Sequence, residues 1–135
     1  MKATASMGPV GFKTEIKTGQ KTTHTLFADE PIGKGDDTGP TPIEMLAGAL
    51  ASCTTLTLRS YANVKGIKLD GVDVDVEIVR RKPSELKPGE HDMLIRKKVN
   101  IRGDFTPEQH ERLLEIAEKC AVLKALREGV DLEAL

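Results

Sequence analysis

The chain has 135 residues and a mass of 14.7 kDa, with 39% hydrophobic and 30% charged residues, proportions that suit one folded domain over residues 1–135 and exclude a disordered chain. Lys and Arg number 20 against 21 Asp and Glu, so the basic excess that an electrostatic nucleic-acid binder needs is missing. The longest uncharged run, residues 45–58, is broken by Ser52, Thr54, Thr55 and Thr57 and falls short of the roughly 20 residues of a membrane span, so neither membrane nor nucleic acid is expected as a partner.

Between residues 2 and 18 the side chains partly alternate, Val10, Phe12 and Ile16 against Lys13, Glu15 and Lys17, which predicts one half-buried strand. Thr18-Gly19-Gln20-Lys21 reads as its turn and residues 22–28 as a second strand. Residues 31–42 hold three Pro and three Gly and are read as an ordered loop held near the helix that follows. Thr41-Pro42-Ile43-Glu44 is a capping pattern with Thr at the N-cap, Pro at the first helical position and Glu at the third. The helix it opens runs to Gly66 and carries Leu46, Leu50, Cys53, Leu56, Leu58 and Tyr61 with almost no polar face, so it is expected to be covered by a sheet on one side and a second subunit on the other.

Val72, Val74, Val76 and Ile78 alternate with Asp73, Asp75 and Glu77, and Met93, Ile95, Val99 and Ile101 with Arg96, Lys98 and Arg102. One wet face is acidic and the other basic, which predicts an antiparallel hairpin with a long tip over residues 82–92. Thr106-Pro107-Glu108-Gln109 opens a helix whose inner face is read as Leu113, Leu114, Ala117 and Cys120. Residues 121–128 read as helical again, with Gly129 as the stop. Three Phe, one Tyr and no Trp make the core aliphatic.

No apolar leader follows Met1-Lys2, which makes the cytoplasm the expected compartment, where two cysteines are thiols or a redox pair rather than a structural disulfide. Cys53 and Cys120 are too far apart for a CxxC motif and read either as a nucleophile with its resolving partner or as two small core residues. A thiol in apolar surroundings is inert unless a cation or a helix N-terminus lowers its pKa, and Cys53 lies about three turns into its own helix, beyond the reach of that helix's dipole. His24, His91 and His110 are scattered and stand at no ligand spacing from a Cys, so no metal site is expected, and His110 reads as solvated. The Gly33–Gly39 stretch lacks the GxxxxGK[ST] arrangement of a phosphate loop. Glu44 has a sufficient structural task in the capping box, and it precedes Cys53 by about two and a half turns.

The run Asp36-Asp37-Thr38-Gly39-Pro40-Thr41-Pro42-Ile43-Glu44-Met45-Leu46, continuing to Cys53-Thr54, resembles the signature of the OsmC/Ohr family of thiol peroxidases, and its YhfA-related branch in particular. The later Leu113–Val122 stretch is similar to the family's second cysteine segment, where Cys-Pro-Val is usual and Ala121 stands here in place of the proline. The resemblance implies an α+β OsmC-like fold, antiparallel sheets wrapped around a long buried central helix in an intertwined homodimer. It implies Cys53 as peroxidatic thiol, Cys120 as resolving thiol, organic hydroperoxides as substrates, a dithiol reductant of lipoyl type, and no metal or organic cofactor. Glu44 matches the family position that holds an activating arginine, yet no Arg precedes Arg59, which leaves Lys34 or Lys13 as a substitute point charge. The competing reading is an OsmC-like dimer that binds small molecules or senses redox state without efficient turnover.

Overall fold

The computed structural model describes residues 1–134, and the chain divides into two compact units, Met1–Leu46 and Ala47–Leu135. In the first unit β1 (Ala3–Met7), β2 (Thr14–Thr18) and β3 (His24–Ala28) form an antiparallel sheet in that spatial order. The single strand expected over residues 2–18 is therefore two, with Ala3 paired to Thr18 and Met7 to Thr14. The chain reverses between them because Pro9 has no N–H to give a ladder and Gly11 takes a φ of +77°. Beyond β3 the buried Asp29 carboxylate accepts the Thr38 hydroxyl at 2.7 Å, the Thr38 N–H at 3.1 Å and the Glu30 N–H at 2.8 Å. These bonds, from Thr38 above all, hold the carboxyl below its usual range and order the proline- and glycine-rich loop.

Helix α1 (Pro42–Lys65) begins where its capping pattern lies. The Glu44 N–H donates to the Thr41 hydroxyl at 3.3 Å, while Glu44 Oε2 accepts the Thr41 N–H at 2.7 Å and its hydroxyl at 2.8 Å. Gly66 ends the helix in the left-handed region, φ +65°, and Ile67 N–H returns to the Ala62 carbonyl at 2.9 Å.

In the second unit β4 (Lys68–Arg80) and β5 (Met93–Asp104) pair as the expected antiparallel hairpin, and its tip contains one turn of 3₁₀ helix, Pro83–Glu85. Asp75 faces Lys98 and Glu77 faces Arg96, the latter as an ion pair at 3.0 Å, so acidic and basic faces meet in register. Helix α2 (Pro107–Ala117) is capped by Thr106, whose side chain accepts the Gln109 N–H at 3.1 Å. Helix α3 (Ala121–Glu128) closes at Gly129, φ +83°. His110 is exposed but stacks on Phe105 with ring centroids 5.5 Å apart, rather than standing free in solvent.

The main core joins Leu58 and Ala62 of α1 to Leu69 and Ile101 of the hairpin and to Leu113, Ile116 and Ala117 of α2. Burying one such Leu contributes about 1.5–3 kcal/mol. Ile116, not Leu114, completes the inner face of α2, because a step of about 100° per residue turns Leu114 away from Leu113 and Ala117. For α1 a cover was expected from a sheet on one side and from a second subunit on the other. This chain buries it along one stripe, Leu50, Thr54, Leu58 and Ala62, while Leu56 remains 67% and Val64 81% exposed.

Candidate active site

Within the second unit the two cysteines come together. Cys120 is 1% exposed and packs with Leu50 and Leu123, and the partly buried Cys53 lies against the same cluster with Val76, Ile95 and Val122. Cys120 does not end α2, as its sequence pattern suggested. That helix stops at Ala117, Glu118 and Lys119 form the turn, and Cys120, with φ −67° and ψ 145°, is the N-cap of α3, its Sγ accepting the Leu123 N–H at 3.4 Å. The Thr54 hydroxyl, which donates to the Leu50 carbonyl at 2.9 Å, lies 3.6 Å from the same sulfur.

This placement brings the N-terminus of α3 to Cys53. The first amides of a helix have no intrahelical acceptor and carry its positive dipole end, so they favour an anion in front of them. Partial burial pushes the Cys53 thiol up, and against it work the Val122 N–H, the Cys120 thiol and the Ala121 N–H, with the Thr57 hydroxyl close by, its own proton given to the Cys53 carbonyl at 2.8 Å. Together they outweigh burial and leave the thiol below its ordinary value. The dipole of α1 plays no part; the helix whose first amides face Cys53 is another one, which the sequence placed correctly without showing what its N-terminus faces. The signal available was a cysteine immediately before a helical run, a position that accepts N-cap geometry.

Cys53 opens onto a groove of about 540 Å³ with Ala49, Leu56 and Val122 as apolar walls and Ser52, Thr57 and Ser60 as polar ones. A thiolate donor set beside a second thiol, at the mouth of a mostly apolar groove, can perform nucleophilic attack followed by disulfide formation. Arg59 is not free for this groove, since its guanidinium donates to the Leu69 carbonyl at 2.7 Å.

Glu44, Lys13 and Lys34 belong to the first unit. Glu44 closes its capping box there, and the Thr41 N–H and hydroxyl hold its carboxyl below the usual range. Lys34 pairs with Glu30 at 2.8 Å and lies over the Phe12 ring, while Lys13 lies over Phe27. Among the described residues no group of three or more His, Cys, Asp and Glu is arranged to hold a metal ion, and no helix is long and apolar enough to cross a membrane.

The sequence profile of OsmC-like protein matches residues 34–134. Several solved structures share the fold. An OsmC-like protein from Mycoplasma pneumoniae superposes with a TM-score of 0.73 at 18% identity, covering 96% of this chain and 87% of its own. An organic hydroperoxide resistance protein OsmC from Legionella pneumophila gives 0.63 at 23% identity, covering 98% and 92%. An organic hydroperoxide resistance protein from Elizabethkingia anophelis gives 0.63 at 21% identity, covering 96% and 89%. No curated protein sequence is similar enough to this chain to count as a match. The α+β arrangement of antiparallel sheets and three helices is that of these proteins, and the chain belongs to the OsmC-like family.

Proposed function

We propose that the chain is a thiol-dependent peroxidase that reduces organic hydroperoxides to alcohols, with Cys53 as the peroxidatic and Cys120 as the resolving thiol. The observation that carries this proposal is the contact of Cys53 with both the Cys120 thiol and the free amides that open α3, which favours a thiolate at a groove with apolar walls. The Cys53 thiolate attacks the terminal oxygen of the hydroperoxide; an S–O bond forms, the O–O bond breaks, and the departing alkoxide takes up a proton to become the alcohol. Cys120 then attacks the sulfenic sulfur, an S–S bond forms, and the hydroxide leaves as water once protonated. A dithiol reductant, of lipoyl type, restores both thiols by exchange and leaves oxidised as its own disulfide.

Two parts of the family pattern enter the proposal with this cycle. Leu56 and Val64, exposed on α1, are the surface a second copy would cover in a homodimer acting in the cytoplasm. Glu44 matches the family position that holds an activating arginine, and Glu44→Gln, which keeps an acceptor for the capping box, tests its part in the reaction: slower peroxide consumption at unchanged stability is expected. A second reading, redox sensing or ligand binding without efficient turnover, is favoured by one observation: no arginine precedes Arg59, and Arg59 is engaged by a carbonyl.

The variants separate the two. Cys53→Ser should abolish peroxide consumption, while Cys120→Ser should retain a sulfenic acid that dimedone traps. Equal, partial losses in both would overturn the assigned roles. A sensor would oxidise once with peroxide and show no sustained turnover with excess dithiol.

A further inference from the structure

The turn that carries Cys120 is tied down by charged side chains that the thiol chemistry does not use. Lys97 projects from β5 with its side chain only 9% exposed, and its ammonium donates to the Ala117 carbonyl at 2.8 Å and to Glu118 Oε1 at 2.9 Å. Ala117 is the last residue of α2, so its carbonyl is one of those a helix end leaves without an intrahelical donor. The other carboxylate oxygen of Glu118 accepts the Arg127 guanidinium, from the final turn of α3, at 2.6 Å. Glu118 therefore links β5, the end of α2 and the end of α3, and the turn between the two helices has just two residues, Glu118 and Lys119, before Cys120. Such a burial of Lys97 costs free energy unless the ammonium is paired, and its partners are the Glu118 carboxylate on this turn and the Ala117 carbonyl just before it.

Fixing the far end of α3 and the near end of α2 leaves α3 little freedom to swing on its N-cap. The amides of Ala121 and Val122 reach the Cys53 sulfur only while α3 keeps its present direction. A displacement of about an ångström would lengthen an N–H···S bond past its useful range. We propose that Lys97, Glu118 and Arg127 form a positioning clamp that holds the N-terminus of α3 on Cys53, so that β5 and the end of α3 set the reactivity of a thiol none of the three touches. The proposal rests on Cys53 being the reactive thiol and adds the residues that keep it so.

A clamp and a plain electric field make opposite predictions at Glu118. The charged groups around it are Lys97 from β5, Arg127 and Lys124 from α3, and the neighbouring Lys119 and Glu128. The groups that face Cys53 are Cys120 and Thr57 with the two amides. Removing the Glu118 carboxylate takes away a negative charge, which by field alone lowers the Cys53 pKa; if the carboxylate holds α3 in place, its loss raises that pKa.

The test is the pH dependence of Cys53 alkylation by iodoacetamide, read by peptide mass spectrometry in the reduced full-length chain, for wild type, Glu118→Ala and Lys97→Met. The clamp predicts that the Glu118→Ala midpoint rises by about one unit, with Lys97→Met rising at least as far. A fall or an unchanged midpoint in Glu118→Ala overturns it. Glu118 is half exposed, so this variant folds even where Lys97→Met does not, and it decides the matter alone. A wild-type midpoint at the ordinary thiol value would instead count against Cys53 as the activated nucleophile, separately from the clamp.

Discussion

Replacing Ala121 by proline removes one donor to Cys53 and little else. Ala121 is the first residue of α3, where proline is favoured because its N–H is not needed by the helix and its φ is already helical. The residue before a proline prefers extended backbone, and Cys120 already has φ −67° and ψ 145°. The Ala121 N–H works on the Cys53 thiol together with the Val122 N–H and the Cys120 thiol. A hydrogen bond to a charged group is worth about 1.5–3 kcal/mol, and sulfur, a weak acceptor, belongs at the lower end. At about 1.4 kcal/mol per unit, the Cys53 midpoint of Ala121→Pro should rise by roughly one unit. The assay is Cys53-specific alkylation across pH, with far-ultraviolet circular dichroism and a denaturation midpoint to show that α3 is retained. An unchanged or lower Cys53 midpoint in a folded Ala121→Pro protein would refute the claim that the opening amides of α3 hold the thiolate.

Three further outcomes are expected. Leu113→Ala, at a position 0% exposed in the main core, should cost about 2–5 kcal/mol, seen as a lower urea midpoint at unchanged slope. Leu56→Glu should leave a folded chain that sediments at the 14.7 kDa monomer mass where wild type sediments at twice it; a wild-type monomer would remove the proposed α1 interface. The Cys53 thiol titrates lower in the folded than in the unfolded chain, so its contribution to stability is lost as pH falls through the folded pKa and complete above the unfolded value, about 8.5. Reduced wild type should therefore gain stability over Cys53→Ala as pH is raised through that window, measured by paired denaturation curves.

What the sequence revealed and what it hid follow from the range of the interactions. The capping boxes at Thr41 and Thr106 and the period-2 runs of β4 and β5 are local patterns, and the elements they define lie where they were expected. The break between β1 and β2 was legible in a change of phase, apolar residues moving from odd positions (Ala3, Ala5, Met7) to even ones (Val10, Phe12, Ile16) across Gly8-Pro9, but the weakly apolar β1 kept that signal faint. Cys120 was attached to the wrong helix because hydrophobic spacing carries on through the two-residue turn after Ala117, and the N-cap geometry that ends it is a matter of backbone angles. The approach of α3 to Cys53 joins residues nearly seventy positions apart and uses backbone amides, which no residue type announces. The same holds for Lys97, whose burial turns an ordinary strand lysine into a tie between β5 and the end of α2. For Cys53 and Cys120, by contrast, family resemblance supplied the pairing, and the structure places the two side by side.

The central claim is that Cys53 and Cys120 are a working peroxide-reducing pair. Its most direct test is the intact mass of the reduced protein after brief exposure to one equivalent of an organic hydroperoxide, beside the same dose of hydrogen peroxide. The account predicts loss of two hydrogens, about 2 Da, reached faster with the organic peroxide and absent in Cys53→Ser. An unchanged mass, or the same loss in Cys53→Ser, would contradict it.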